Sequence, residues 1–433
     1  DFNKDMSVLS ADGLEILYKK NEQNDIAELS FTFDEGLMTD PALSLAFGYV
    51  DYLGTPSASV ESISKELYSL ACSYNVRVSA EQTTVSFRGL AENLGKAMDI
   101  AADRFANAVA DESILAALKN DEIQSRMVNK NSQSACQSAI QTYIMYGPEY
   151  IKSVNLPTAK LLAISSEELL SKVAALYTKA HRVLYYGPDS EESLTSLLAE
   201  HHKSPEGGLV PVEKKNAVHM LTPEAKVFIA PYKSRQVNYY QYSNRGEKID
   251  FSIDTKADLF NSYFGSGMNA IVFQEMREAR ALAYRARASL NVPTFKDDAY
   301  SFQATIGSQS DKLHIAVEAF DDIINNMPES QKAFDIAKAS IDATLRTQRT
   351  TGMQVINNYL ADRELGRTEP NAKFIYETAK NLTLQDVIAT QQKYVKNRTY
   401  IYGLLGDANL LDLPYLRTMG PVEQISLETV FGY

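Results

Sequence analysis

The sequence repeats one set of landmarks at a separation of 218 residues. Gly89 closes the strand-like segment TTVSFRG and Gly307 closes the segment YSFQATIG, so that 307 − 89 = 218. A Ser-x-x-Glu capping box begins at Ser165 and a Thr-x-x-Asp box begins at Thr383, and 383 − 165 = 218 again. A fixed separation of this kind is typical of a duplicated structural unit. The sequence therefore predicts two copies of one domain of roughly 210 residues.

The order of the apolar patterns predicts the fold of each copy. Residues 14–18 and 29–33 alternate apolar and polar side chains, which is typical of half-buried strands. The apolar pattern then predicts helices at 41–53 and 57–74, strands at 76–80 and 83–90, and a helix at 96–110. It further predicts mainly helical structure over 111–177 and a closing strand at 183–186. In the second copy, 227–229 and 237–242 repeat the opening strand pair. Strands and helices in this order indicate an α+β fold with an antiparallel sheet.

A change of composition separates the two copies. Residues 203–216 (KSPEGGLVPVEKKN) are rich in Pro, Gly and Lys and have no hydrophobic periodicity. Such a segment is typical of an interdomain linker. We therefore predict a first domain at 1–202, a linker at 203–224 and a second domain at 225–433.

The charge of the chain limits its partners. A net charge of −12 without any long basic run argues against a nucleic acid or an anionic membrane as partner. The apolar stretches are shorter than the eighteen or so residues of a membrane helix, so we expect a soluble protein. The start at Asp1 favours a processed product or part of a longer protein. The residues assign no compartment, and a signal on the full-length protein would make it periplasmic or exported.

The cysteines and histidines do not form a metal motif. Cys72 and Cys136 have no CxxC spacing, so we expect two buried free thiols, with a single disulfide as the alternative. The histidines have no pair at the i, i+4 separation that would present two imidazoles to zinc; they are His181, His201, His202, His219 and His314.

The segment 261–285 (NSYFGSGMNAIVFQEMREARALAYR) carries the most suggestive polar residues. Its FGSG turn lacks the lysine of a phosphate loop, and we expect it to serve only as a tight turn. Arg277 and Tyr284 are seven residues apart, within about 20° of two helical turns, so a helix reaching Tyr284 would present both on one face. A guanidinium beside a phenol can grip a carbonyl or carboxylate. Solvated surface side chains are the alternative interpretation.

The same segment carries a resemblance to a known family. SYFGSGMNAIVFQEMREARALAY, together with DGLEILYKKN near the start and YGLLGD at 402–407, closely resembles the pitrilysin/insulinase-type (M16) zinc peptidases over nearly the whole chain. The resemblance implies two homologous domains, each an antiparallel (mixed) sheet of about six strands packed against helices. It also implies a clamshell of four such domains, in which the first half holds zinc through a His-x-x-Glu-His motif and a distant Glu.

This chain departs from the family at the zinc motif. Counting back from Gly54 and Thr55, the two zinc histidines fall on Leu45 and Tyr49, and the general base falls on Gly48. Glu122 lies near the place of the distant ligand but has no imidazole partners. We therefore expect no metal and no cofactor in this chain, and expect zinc in a partner N-terminal half.

The resemblance also gives roles to the polar pair. It implies that Arg277 holds a substrate carbonyl or carboxylate, and that Tyr284 donates a hydrogen bond to the oxyanion formed when zinc-bound water attacks the peptide. Arg280 does not match the family pair. The chain is thus expected to be the C-terminal, non-zinc-binding half of an M16 endopeptidase that acts on unfolded peptides and is inactive alone. The alternatives are a separate non-catalytic subunit of a two-chain peptidase, and a structural relative without a catalytic role.

Overall fold

A computed structural model describes residues 2–202, 204–205, 207–265 and 267–433. Four residues lie outside the described part of the chain: Asp1 at the start of the predicted first domain, Lys203 and Glu206 in the predicted linker, and Ser266 in the predicted FGSG turn.

The first half builds one sheet and nine helices within the described residues. Side-chain caps start several of these helices; Ser59, for example, accepts a hydrogen bond from the backbone N–H of Ser62. In chain order the elements are α1 (Phe2–Asp5), β1 (Ser7–Ala11), β2 (Leu14–Lys20), β3 (Ile26–Phe33), α2 (Leu43–Val50), α3 (Val60–Ser69), β4 (Cys72–Val78), β5 (Thr83–Leu90), α4 (Leu94–Asn107), α5 (Glu112–Asn131), α6 (Gln133–Val154), α7 (Thr158–Ala163), α8 (Ser166–Ala174), β6 (His181–Gly187) and α9 (Glu191–His201).

The second half repeats this plan. Its elements are β7 (Lys226–Pro231), β8 (Gln236–Asn244), α10 (Asp254–Phe260), α11 (Ile271–Phe273), β9 (Arg285–Asn291), β10 (Ser301–Gln309), α12 (Leu313–Asn325), α13 (Gln331–Thr347), α14 (Met353–Leu365), α15 (Asn371–Ala379), α16 (Leu384–Tyr394), β11 (Ile401–Gly406), α17 (Leu413–Met419), β12 (Val422–Gln424) and α18 (Leu427–Phe431). Short π-helical turns at Asn261–Gly265 and Gln274–Ala279 flank α11.

Both sheets have six strands in the described chain, in the orders β1-β2-β6-β3-β5-β4 and β12-β7-β11-β8-β10-β9. The strands β2, β6, β3, β5 and β4 take the same places as β7, β11, β8, β10 and β9. The closing strand β6 lies parallel to β2 and antiparallel to β3. In the same way, β11 lies parallel to β7 and antiparallel to β8. The outermost strand differs, because β1 is antiparallel to β2 whereas β12 is parallel to β7. The predicted α+β fold of two homologous domains is confirmed.

The two halves exchange one helix each. One face of each sheet packs against helices of its own half and forms a large core. The opposite face of the second sheet is covered by α6 of the first half, whose Cys136, Ile140 and Ile144 pack on β7, β8 and β11. The opposite face of the first sheet is contacted by α14 of the second half, where Ile356 packs with Leu17 and Leu184. Each half therefore contributes a helix that packs on one sheet face of the other half.

One of the two sequence landmarks does not correspond between the two sheets. Gly89 faces the first core, since a Cβ there would meet Cys72, which belongs to that core. Gly307 follows Ile306, a residue of the second core, and successive side chains of a strand point to opposite faces. Gly307 therefore lies on the other face, against Tyr284. The match of these glycines at 218 residues was wrong as a structural equivalence, although the duplication itself holds.

The capping landmark does have the same place in each half, at the start of the helix that precedes the closing strand. Ser165 accepts a hydrogen bond from the backbone N–H of Glu168 and starts α8. Thr383 and Asp386 form a full reciprocal box at the start of α16. The predicted helix over 57–74 is wrong at its end: α3 stops at Ser69, and a positive φ of 50° at Ala71 turns the chain into β4.

Candidate functional site

The three residues that the family resemblance aligns with the zinc motif all lie on α2. Leu45 packs at the border of the first core. Gly48 has open space where a side chain would be. Tyr49 is fully buried, and its hydroxyl contacts the Asp111 backbone N–H at 2.8 Å and the Ser166 hydroxyl at 3.0 Å. The Tyr49 hydroxyl thus connects the N-terminus of α5 to the N-terminus of α8 through hydrogen bonds.

A cleft of about 490 Å³ remains beside these positions. Glu122 lines it and accepts a hydrogen bond from Arg126 Nε at 2.8 Å, so its charge is already compensated. Arg126 in turn lies over the Tyr433 ring, 4.4 Å from its centroid. Across the described part of the chain, no group of three His, Cys, Asp or Glu residues could hold a metal ion. The side chains at this cleft do not fit zinc, and no catalytic step is assigned to a metal here.

The segment 261–285 does not form one continuous helix. After α11, the π-helical turn ends at Ala279, and Arg280 is its C-cap. Ala281 then adopts a positive φ of 50°, which a helix cannot contain. Tyr284 lies beyond this reversal, where its backbone N–H donates to the Gly307 carbonyl at 3.0 Å. The predicted shared helical face of Arg277 and Tyr284 is therefore wrong, because the helix ends before Tyr284.

Tyr284 instead lies against the outer face of the second sheet. Its ring fills the space where a side chain at Gly307 would be, and its hydroxyl lies 3.3 Å from Asn238 Oδ1. The side chain is 43% exposed. Partial burial raises the pKa of Tyr284, and the charge of Arg285 opposes this rise. The phenol stays protonated at neutral pH, and its single long hydrogen bond leaves it able to donate to a ligand.

Arg277 remains an exposed cation on the π-helical turn. Its guanidinium lies 5.0 Å from the centroid of the Phe273 ring, and its Nε is 3.8 Å from Glu278 Oε1. Both partners of that ion pair are more than half exposed, so the pair is weak and exchangeable. Arg280 pairs with Glu275 at 3.5 Å. Arg277 and Tyr284 have no described contact partner in common.

Sheet pairing adds two residues that the sequence reading did not select. Gly307 pairs with Asn238 on one side and with Arg285 on the other, which places these three residues in one row across β8, β10 and β9. Residues paired in this way point to the same face of a sheet. Tyr284 lies over this row. A cationic and an amide side chain therefore accompany the phenol, and the only sequence signal was a polar Asn within the Tyr-rich strand VNYYQY.

Among the helices of the described residues, none is both long and apolar enough to cross a bilayer.

Comparison with known proteins gives one family and a consistent set of folds. Residues 163–341 match the model of the peptidase M16 inactive domain. A crystal structure of a peptidase M16 inactive domain from Pseudomonas fluorescens is similar with a TM-score of 0.71 and 17% identity, over 93% of this chain and 98% of that one. The periplasmic protease PqqL from Escherichia coli is similar with a TM-score of 0.71 and 15% identity, over 93% of this chain and 46% of that one.

The ferredoxin protease FusC, solved in complex with Arabidopsis ferredoxin, is similar with a TM-score of 0.73 and 15% identity. The match covers 94% of this chain and 45% of that one. The chain therefore spans just under half of PqqL and FusC and nearly all of the Pseudomonas protein. At these identities the likeness shows the fold alone.

Proposed function

The chain is an M16 peptidase family member that carries the family's inactive domain, and from that premise we propose that it is the metal-free, C-terminal half of a zinc-dependent endopeptidase. In this role it forms one side of a chamber whose other side carries the zinc. Its own contribution is to bind and orient a peptide and to donate hydrogen bonds. The isolated chain is inactive as a peptidase.

The observation that supports this proposal is a contrast between two tyrosines: one replaces a residue of the family's zinc motif, and the other is an available hydrogen-bond donor. Tyr49 occupies a zinc-ligand position but serves as a structural anchor for α5 and α8. Tyr284, by contrast, has a long hydrogen bond and an exposed edge. A structural residue would be expected to be buried and fully bonded. The contrast favours a half that lost metal binding and kept a substrate-binding surface.

Tyr284 and Arg277 have different roles in this proposal. The neutral phenol of Tyr284 donates a hydrogen bond to the oxyanion of the tetrahedral intermediate, where charge develops. The Arg277 guanidinium binds a substrate carbonyl or carboxylate, for which its weak pair with Glu278 is easily exchanged. Zinc in the partner half supplies the activated water. The substrate class is an unfolded peptide, since an extended backbone exposes the carbonyls that both groups bind.

Coverage of the similar structures bears on how the halves are joined. PqqL and FusC are about twice as long as the matched region, which fits a zinc half and a metal-free half on one chain. The Pseudomonas protein is matched over 98% of its length, which fits a separate metal-free subunit. Both arrangements use the same surface in the same way. PqqL is a periplasmic protease, which is consistent with an exported location for this chain.

Reconstitution with a zinc-bearing half tests the proposal. Cleavage of an unfolded peptide is measured with the chain alone, with the zinc half alone and with both, and activity is expected only for the pair. Tyr284→Phe and Arg277→Ala are each expected to lower kcat/KM on the order of a hundredfold, the loss typical of a missing transition-state donor. Arg280→Ala, which removes a neighbouring charge from the same turn, is the matched control and is expected to keep full activity.

Two outcomes would contradict the proposal. Zinc-dependent cleavage by the chain alone would show that it contains its own active site. Full activity of the reconstituted Tyr284→Phe and Arg277→Ala variants would leave the chain with a purely structural role. That second outcome would favour the scaffold alternative, in which the fold is kept without any catalytic contribution.

A further inference from the structure

A second groove lies on the outer face of the second sheet, next to Tyr284. It is bounded by β9 and β10 on one side and by α6 of the first half on the other, and it encloses about 490 Å³. Its lining is polar and consists of Ser134, Gln137, Ser138 and Gln141 of α6, with Arg285, Arg287, Ala288, Ser289, Gln303, Ala304 and Thr305 of the strands. The helix exchange between the halves thus creates one wall of this groove.

The charge of this groove is opposite to that of the chain. The whole protein has 55 Asp and Glu residues against 43 Lys and Arg, yet the described lining contains two arginines and no carboxylate. Arg285 and Arg287 are both exposed, and neither has an ion-pair partner among the described residues. Two arginines without a carboxylate partner favour an anionic ligand.

The corresponding groove on the first sheet behaves differently. It encloses about 630 Å³ between the outer face of that sheet and α14. Three of its four cations lie beside carboxylates of the protein, since Arg88 pairs with Glu28 at 3.3 Å and Lys214 pairs with Glu364 at 2.6 Å. Arg182 lies 4.0 Å from the same Glu364. The fourth cation of this lining, Arg77, has no ion pair among the described residues, but Glu28, Glu81 and Glu364 line the same groove. The groove on the second sheet differs because its described lining has arginines and no carboxylate.

The geometry of the two arginines fits an extended peptide. They are two residues apart on β9, so both leave the same face at a spacing of about 6.6–6.8 Å. Acidic side chains at positions i and i+2 of an extended peptide have that same spacing. The amides of Gln137 and Gln141 on the facing helix can bind the peptide backbone. At its end, the groove meets the row formed by Gly307, Asn238 and Arg285 beneath Tyr284.

We propose that this groove binds an extended acidic segment of the peptide substrate, with carboxylates at alternate positions held by Arg285 and Arg287. The inference rests on the proposed peptidase role, because it treats the groove as the continuation of the Tyr284 surface. It selects acidic peptides as the substrate class. A nucleic acid is disfavoured as occupant because a polyphosphate would meet the negative field of the remaining surface, and only two arginines face it here.

Binding to the whole chain without the zinc half tests this separately from catalysis. A labelled unfolded peptide with Glu at alternate positions is titrated by fluorescence anisotropy, beside a peptide with Gln at the same positions. The acidic peptide is expected to bind at least tenfold more tightly, with an affinity that falls as salt is raised. Arg285→Gln with Arg287→Gln is expected to abolish this preference. Arg77→Gln with Arg88→Gln removes the same charge from the first-sheet groove and is expected to keep it.

A charge reversal supplies a readout that a structural role would not give. Arg285→Glu with Arg287→Glu is expected to reverse the preference, so that a peptide with Lys at alternate positions binds best. Equal binding of the acidic and Gln peptides, or an unchanged preference in the Arg285/Arg287 variants, would overturn the proposal. Tighter binding of a single-stranded oligonucleotide than of the acidic peptide would overturn it as well. Cleavage by the reconstituted pair is assayed independently, so either idea can fail while the other stands.

Discussion

The Tyr49 hydroxyl accepts a hydrogen bond from the backbone N–H of Asp111 at 2.8 Å. The second half repeats this contact, since the Tyr263 hydroxyl accepts from the backbone N–H of Ser330 at 2.9 Å. Asp111 and Ser330 are the N-cap residues of α5 and α13. One buried phenol in each half therefore fixes the start of the following long helix, and in the first half that phenol is the residue that the family resemblance aligns with a zinc ligand.

Tyr49→Phe is expected to lower the free energy of unfolding by about 1–3 kcal/mol. The ring still fills its space, but the Asp111 N–H and the Ser166 hydroxyl lose a buried partner. Urea unfolding of the variant measures this. Tyr52→Phe is the matched control, because Tyr52 is 57% exposed and is expected to cause almost no change. Equal stability of the Tyr49→Phe variant and the parent protein would show that the phenol contributes only packing.

Gly307→Ala is expected to destabilise the second sheet by about 1–3 kcal/mol, because the new Cβ collides with the Tyr284 ring. In a Tyr284→Ala background the same change is expected to be nearly neutral. A double-mutant cycle by thermal unfolding measures this coupling. Gly48→Ala serves as the control, since open space surrounds that position and the change removes a glycine from α2. Independent, additive effects of Gly307→Ala and Tyr284→Ala would contradict the described contact.

The sequence predicted the duplication and the α+β class because both depend on patterns that survive within each copy. The course of the chain near Tyr284 could not be predicted in the same way. Ala281 takes a positive φ without being glycine, and Ala71 does so at the end of α3. An alanine gives no sequence signal for such a reversal, so both helices were predicted to continue too far.

The packing of α6 and α14 on the sheet of the opposite half also could not be predicted from the sequence. The apolar positions Cys136, Ile140 and Ile144 of α6 show that one side of this helix is buried, but they do not show by which sheet. The same holds for Ile356 of α14. The basic groove depends on that exchange, because α6 supplies one of its walls. The sequence around Arg285 and Arg287 therefore gives no sign that a helix of the first half faces them.

The exchanged helices are expected to make unfolding cooperative across both halves. Ile140→Ala and Ile356→Ala should each cost about 2–5 kcal/mol, since both side chains are almost completely buried. Residues 1–224 expressed alone should show no cooperative transition, because their α6 and first sheet lack their partners. Ile315→Ala is the control, at a position that is 48% exposed. Two separate calorimetric transitions in the full chain would contradict this coupling.

Two histidines form a buried pair in the first half. His181 Nε2 lies 2.8 Å from His202 Nε2, and His181 Nδ1 lies 2.7 Å from the Lys179 carbonyl. The carbonyl can only accept, so His181 carries its proton on Nδ1 and its Nε2 accepts from His202 Nε2–H. The His202 ring also stacks on Phe31, with 3.9 Å between centroids. Burial of both rings favours their neutral forms.

Acid is expected to destabilise the protein through this pair. Burial lowers the pKa of both rings, and the pKa of His202 falls from 6.5 to about 3. Below pH 6.5 the unfolded chain binds a proton that folded His202 does not bind, so stability is complete above pH 6.5 and decreases as the pH falls toward 3. The slope is at most about 1.4 kcal/mol per pH unit for one group.

The variant His202→Gln tests this, because its amide can still donate a hydrogen bond to His181. Its free energy of unfolding, measured with urea, should depend less on pH between pH 5 and about 6.5. His314→Gln, at an exposed position outside the pair, is the control. A slope in the His202→Gln variant equal to that of the parent protein would show that the pair does not titrate in this way.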